Sequence, residues 1–209
     1  MSDKFLIPNV PYLTQRDNAN QPFTSCFNTS NAMCIQHCLN LIDKTKADIG
    51  CSNENMQLED YLFEFMNSKE TTDWMKANTK IWGTWIWDYS RRTVYPIEAW
   101  AFNHFMNDFG FKATFREDLT YDTLCNFIEV SNLPCIIGGD FSSLVSSVQG
   151  HMNVFVGFNK TGMKELITKD PFGNALKYYK DFNGDNMSYG TKYFVRKNGI
   201  IRTVTIECI

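Results

Sequence analysis

Basic tracts are missing from this 209-residue chain, and with them one broad class of function. Its 20 Lys and Arg against 23 Asp and Glu leave a formal net charge of -3. No run of cations could neutralise a row of phosphates, so no nucleic-acid partner is expected. Long apolar runs are missing too. No window approaches the roughly 20 apolar residues that span a bilayer, which excludes membrane insertion by a helix. The opening Met1-Ser2-Asp3-Lys4-Phe5 has neither the charged stretch nor the apolar run of a signal peptide, which predicts a cytoplasmic protein that reaches an outside substrate only if something else lets it out. Regular cysteine spacing is absent: seven cysteines, an odd number, read as free thiols in a reducing compartment. Internal repeats, low-complexity tracts and Pro/Gly/Ser-rich linkers are also lacking, so residues 1–209 are expected to form a single domain.

What the chain does have is bulk. Hydrophobic residues make up 44%, with 17 Phe, 9 Tyr and 5 Trp, enough for a core without disulfide or metal staples. Pro8 and Pro11 keep Ile7 to Arg16 extended, and Asp17 to Ser25 reads as a loop. From Cys26 to about Asp43 the pattern turns helical, with Phe27, Cys34, Ile35, Cys38, Leu41 and Ile42 on one face and Thr24 and Ser25 as capping residues. Further helices are expected over Gln57 to Asn67, Pro96 to Asp108 and Thr120 to Val130. Strands are expected over Phe111 to Phe115, Cys135 to Gly139, Asn153 to Phe158, Glu165 to Lys169, Ala175 to Tyr179, Lys192 to Arg196 and Ile200 to Glu207. A helical first half before an antiparallel second half is the order of an α+β fold. The segment Ile81-Trp82-Gly83-Thr84-Trp85-Ile86-Trp87 is too aromatic for a plain loop; it is core or the wall of a cleft, and Trp82, Trp85 and Trp87 are the substrate-binding candidates.

Among the cysteines, Cys26 alone stands where a polar loop becomes a helix. A helix N-terminus favours a thiolate through its dipole and free N–H groups. Cys34, Cys38, Cys125 and Cys135 sit in apolar patterns, while Cys51 and Cys208 have nothing nearby in sequence to activate them. Cys34, His37 and Cys38 cluster on one helix, but a zinc site needs a second ligand pair and none exists, so no metal or other cofactor is expected. The Asp181, Asn183, Asp185 spacing resembles the start of a calcium loop, yet the glycine at the sixth position and the later Glu are missing, and a turn is expected instead.

Only three histidines can supply a base. His37 and His104 lie inside helical patterns; Gly150-His151 opens the strand Met152 to Phe158, where a base is rigidly held and open to a cleft. An imidazole needs a group to fix its tautomer. Asp170 ends the next strand and would return alongside His151. Acyl transfer also needs oxyanion donors, which the Cys26 N–H and the Gln15 side-chain amide can provide.

These segments together resemble the papain-like peptidases of the C39 type, especially the C39-like group of bacterial and phage proteins. The stretches that carry the resemblance are Val10 to Asn18, Thr24 to Met33, Gly150 to Phe158 and Lys169 to Ala175, and the matches run from Val10 to about Tyr189. The resemblance implies a papain-like α+β fold, with Gln15 as oxyanion donor, Cys26 as nucleophile, His151 as base and Asp170 as its orienter. Phe27 stands where the family often has Gly. The stretch Asp170 to Ala175, with Tyr178 and Asp181 to Asn186, is similar to stand-alone phage lysins, which implies a peptide or peptidoglycan substrate and an endolysin role. Two other outcomes share the fold: a transferase or deamidase acting on a host protein, and a catalytically silent module whose tryptophans grip a peptide or glycan.

Overall fold

The computed structural model of the chain describes residues 2–78, 94–148, 150–196 and 198–209. The short strand β1 (Lys4–Leu6) leads through the two prolines to a 3-10 turn at Gln15–Asp17. Helices α1 (Cys26–Leu41), α2 (Leu58–Met66), α3 (Lys69–Asn78) and α4 (Val94–Met106) follow. Then come β2 (Phe111–Thr120), α5 (Tyr121–Ser131), β3 (Cys135–Gly139), β4 (His151–Asn159), β5 (Glu165–Lys169), β6 (Met187–Gly190) and β7 (Ile200–Cys208). The described strands form one seven-stranded antiparallel sheet in the order β2-β7-β3-β4-β5-β6, with β1 paired to the far end of β4. The N-terminal helices pack on this sheet, giving the expected α+β architecture. Among the described residues no helix is long and apolar enough to cross a membrane.

The helix α1 is the centre of the molecule. A single apolar face is expected for it, yet every residue from Phe27 to Ile35 is buried, including Asn28, Thr29, Ser30 and Asn31. It is enclosed by α2, α4, β3 and β4 together, so its polar faces are covered as well. Leu41, expected on the apolar face, is 52% exposed where the helix runs past its neighbours. The central strand β4 is buried along nearly its whole length, which is why Met152 to Phe158 reads as a continuous apolar run rather than an alternating one.

Three elements differ from expectation. Ala175–Lys177 is a 3-10 turn capped by the Asn174 side chain, and Tyr178 and Tyr179 both adopt positive φ (55° and 56°), which no strand tolerates. Residues Thr191–Tyr193 form another 3-10 turn, stabilised by Phe194 and Val195 N–H groups donating to the Thr191 carbonyl. The strand in this region lies just before, at β6, paired to β5 through Leu166 and Tyr189. Helix α3 (KETTDWMKAN) is mostly polar, with only Thr71 and Met75 buried, so it has little periodic signal.

The loop between these turns is docked through Gly184. Its N–H donates to the Tyr12 hydroxyl (2.9 Å), and its carbonyl accepts from the Asp170 N–H (2.9 Å). A Cβ on Gly184 would collide with the Asp170 carbonyl oxygen, a backbone atom that cannot swing away. Gly184→Ala is therefore expected to destabilise the fold by about 1–3 kcal/mol, the usual range for overpacking. Urea unfolding of the variant against wild type measures this directly.

Candidate active site

Cys26 is the first residue of α1. Ser25 occupies the N-cap position, but its side chain makes no capping bond to the helix. Its hydroxyl instead accepts from Asn18 Nδ2 (2.7 Å), which also reaches Thr29 Oγ1 (3.0 Å). The preceding loop is further clamped by Asp60 of α2, which accepts the Ala19 and Asn20 N–H groups (3.2 Å each). The loop is thus pinned from the side while the positive end of the helix dipole stays directed at the Cys26 region. Cys34, Cys38, Cys125 and Cys135 are buried, and burial pushes their thiols up, Cys125 and Cys135 to about 12. Cys51 is also buried; Cys26 is partly exposed and Cys208 exposed.

His151 opens β4 opposite Gly139 of β3, and Asp170 follows the last residue of β5, the strand on the other side of β4. The antiparallel pairing returns the carboxylate to the imidazole: His151 Nε2 and Asp170 Oδ1 are 2.6 Å apart. With Nε2 so engaged, the other ring nitrogen is left for Cys26, which is close enough to act on the imidazole. Burial opposes a charge on the imidazole, but the Asp170 carboxylate, helped by Cys26, outweighs it and raises His151 to about 10. Asp170 is fully buried. Its Oδ1 also accepts the Phe172 N–H (3.0 Å), and its Oδ2 accepts the Tyr189 hydroxyl (2.8 Å). Phe141, Phe172 and Tyr179 surround the imidazole edge-on at 6.0, 6.2 and 5.9 Å between ring centroids.

Gln15 is tied to the same turn. Its backbone N–H donates to the Pro171 carbonyl (2.8 Å), and the next residue, Arg16, donates from Nε to the Phe172 carbonyl (3.0 Å) while stacking on the Phe172 ring. The Gln15 amide donates one N–H to the Pro22 carbonyl (3.0 Å), leaving its second for the cleft. Gln15, Cys26 and His151 line one cleft of about 940 Å³, with Phe23 and Phe172 beside them. All four expected site residues are therefore brought together, Asp170 from behind the imidazole. Phe27 is 5% exposed and packs into the core while lining the cleft beside Cys26. Trp82, Trp85 and Trp87 lie outside the described residues. Among the described residues no group of three or more His, Cys, Asp or Glu could hold a metal ion.

Residues 7–195 match the Peptidase_C39 like family. The chain belongs to that family. Membership makes it a C39-like cysteine peptidase by family, a hydrolase acting on peptides. A solved structure of a Bacillus anthracis protein assigned as a C39-like peptidase is similar in fold, with a TM-score of 0.56, 13% identity and 100% of both chains covered. No curated protein matches the chain.

Sequence reasoning missed two parts of this C39-like site. Tyr189 is one: its hydroxyl spans Asp170 Oδ2 and the Ala175 N–H (3.0 Å), and only the β5–β6 pairing brings it there. The other is Glu98 on α4, fully buried, with neither carboxyl oxygen meeting a hydrogen-bond partner among the described residues. Burial, with Cys26 nearby, raises its pKa well above the ordinary carboxyl value and so favours the neutral form.

Two predictions follow from these groups. Tyr189→Phe leaves a buried carboxylate oxygen and the Ala175 N–H without their partner, a loss expected to cost about 1–3 kcal/mol in urea unfolding. Glu98 holds its proton in the folded state but releases it above about pH 4.5 when unfolded, so it lowers stability progressively as pH rises from that point. His151, raised from 6.5 to about 10, adds stability below pH 6.5 that is lost between 6.5 and 10. Glu98→Gln should therefore flatten the fall in stability between pH 5 and 6.5 and make the fall above 6.5 shallower, leaving there the part that His151 contributes. Unfolding midpoints across that range measure both slopes.

Proposed function

We propose that this C39-like peptidase cleaves peptide bonds in peptidoglycan, as a phage endolysin does, with Cys26 as nucleophile, His151 as acid and base, Asp170 as orienter and Gln15 as oxyanion donor. The observation that carries the mechanism is the buried His151–Asp170 pair at 2.6 Å, facing a cysteine at the start of a helix. A protonated imidazole beside the sulfur favours the thiolate, and the helix dipole adds to it. The thiolate attacks the substrate carbonyl carbon. The oxygen takes up the negative charge between the Cys26 N–H and the free Gln15 amide N–H. His151 passes its proton to the leaving amine as the C–N bond breaks, giving a thioester. It then takes a proton from water, whose oxygen attacks the thioester, releasing the carboxylic acid and restoring the thiolate–imidazolium pair. The substrate reading is supported by the similarity of the Asp170 to Asn186 region to stand-alone lysins and by a cleft roomy enough for a branched peptide.

The test is turbidity loss of purified bacterial cell walls with wild type and Cys26→Ala, followed by mass analysis of the fragments. Wild type is expected to clear the walls and release peptides with new amino and carboxyl ends; the variant is expected to be silent. Equal clearing by both proteins would overturn the mechanism, and no clearing by either would overturn the peptidoglycan substrate. Asp170→Asn removes the charge that raises His151, so the alkaline limb of kcat/KM should move to lower pH, with activity at the optimum down about 100-fold or more. A pH–rate profile of that variant checks the shift separately from the loss.

A further inference from the structure

The cleft has two unlike walls. On one side are Phe23, 71% exposed, and Phe172, their rings edge to face at 6.4 Å. On the other are Ser142, Ser143 and Ser147 of the β3–β4 loop, together with Lys192 and Arg196 of the β6–β7 connection. Both cations are exposed, and among the described residues neither is paired with a carboxylate. The one acid lining the cleft, Asp140, also accepts the Ser142 N–H (3.0 Å) with one of its oxygens.

The cations are built into place. Arg196 lies near enough to Tyr95 to act on its hydroxyl electrostatically, and Tyr95 lies so close over Gly138 that a Cβ there would collide with that hydroxyl. Tyr95 is itself stacked on Phe115 of β2 (5.2 Å) and 3% exposed, so the cation stands beside a rigid floor. Arg196 also starts the turn into β7, its N–H donating to the Ile200 carbonyl (2.9 Å). Next to Lys192, Tyr193 stacks on Phe141 (5.2 Å), and its carbonyl accepts the Asp140 N–H (2.7 Å).

We propose that Lys192 and Arg196 form a carboxylate-reading subsite, so that the enzyme prefers peptides carrying an acidic group on one side of the scissile bond. This rests on the reading of the cleft as a peptidase site. A planar guanidinium on a pinned backbone can grip a carboxylate through two parallel N–H bonds, and the serine hydroxyls can donate to the same anion. The carboxylate can belong to an Asp or Glu side chain or to a free chain terminus.

The experiment compares wild type with the double variant K192E/R196E, whose changes lie at exposed positions. A synthetic peptide library of randomised sequence, offered with free or amidated C-termini, is digested and the products read by mass spectrometry. Wild type is expected to enrich Asp and Glu at one flanking position, or to prefer the free terminus, and the variant to lose or invert that preference by about tenfold per position. The two C-terminal forms separate the two sources of the carboxylate. Cleavage without any charge preference, or with the same preference in both proteins, overturns the subsite and leaves the peptidase reading standing. If no peptide is cut by either protein, that reading fails for peptides, and alkylation of Cys26 decides the subsite alone. The ratio of iodoacetate to iodoacetamide rates at Cys26 should fall about tenfold in the variant, with exposed Cys208 as internal reference. An unchanged ratio overturns the proposal.

Discussion

A carboxylate with no exposure to water sets the terms for this fold. Moving an ion of that kind out of water costs several kcal/mol even after relaxation, and the cost is offset only when every lone pair finds a donor. Asp170 is given three: the His151 ring, the Phe172 N–H and the Tyr189 hydroxyl. Each comes from a different part of the chain, so β4, the Asp-Pro turn and β6 must arrive together. The backbone of Asp170 is held just as closely, its N–H by Gly184 and its carbonyl within 3.2 Å of the Tyr12 hydroxyl. Satisfying one charge therefore fixes the N-terminal segment, two strands and the loop between them.

Glu98 shows the opposite solution. It is buried as deeply as Asp170, but its side chain is given no donor, and Asn31 Nδ2 bonds to its backbone carbonyl (3.1 Å) instead. The physical result is an acid near Cys26 whose charged form burial disfavours, and behind His151 an acid whose oxygens are fully hydrogen-bonded. That asymmetry suits a thiolate–imidazolium pair. A second negative charge behind the sulfur would oppose the thiolate, whereas a negative charge behind the ring supports the imidazolium.

The four proposed site residues were legible because each carries a local signal. Cys26 follows a polar loop at a helix start, His151 follows Gly150 at a strand start, Asp170 precedes Pro171, and Gln15 ends a proline-stiffened segment. Most of the fold was legible for the same reason; β3 and β5 have the very bounds their apolar runs suggest. What stayed hidden depends on register or on unusual backbone. Tyr189 reaches Asp170 only because Leu166 pairs with it across β5 and β6. The positive φ values of Tyr178 and Tyr179 contradict what two aromatic residues in sequence suggest, and the Asn174 that caps the turn before them is itself a common loop residue. The encirclement of α1 was invisible too, since its apolar spacing marks one buried face and says nothing of α2 and α4 covering Asn28 to Asn31.

The aromatic block behind the site joins the two halves of the proposal. Phe141 touches His151 edge-on, meets Tyr189 at 5.0 Å and stacks on Tyr193 at 5.2 Å. The ring that helps to seat the imidazole thus also supports the turn beginning at Thr191, from which Lys192 and Arg196 face the cleft. Close-packed rings of this kind transmit displacement rather than absorb it. A substrate carboxylate drawn to those cations would therefore be registered against a turn that shares its foundation with His151. Reach is fixed in the same way, because Gly139, opposite His151, leaves no room for a side chain between Phe141 and Phe194. The distance from a bound carboxylate to the sulfur then depends on packed rings and sheet register, and a substrate whose acidic group is one residue out of place meets the cations with its scissile bond away from Cys26.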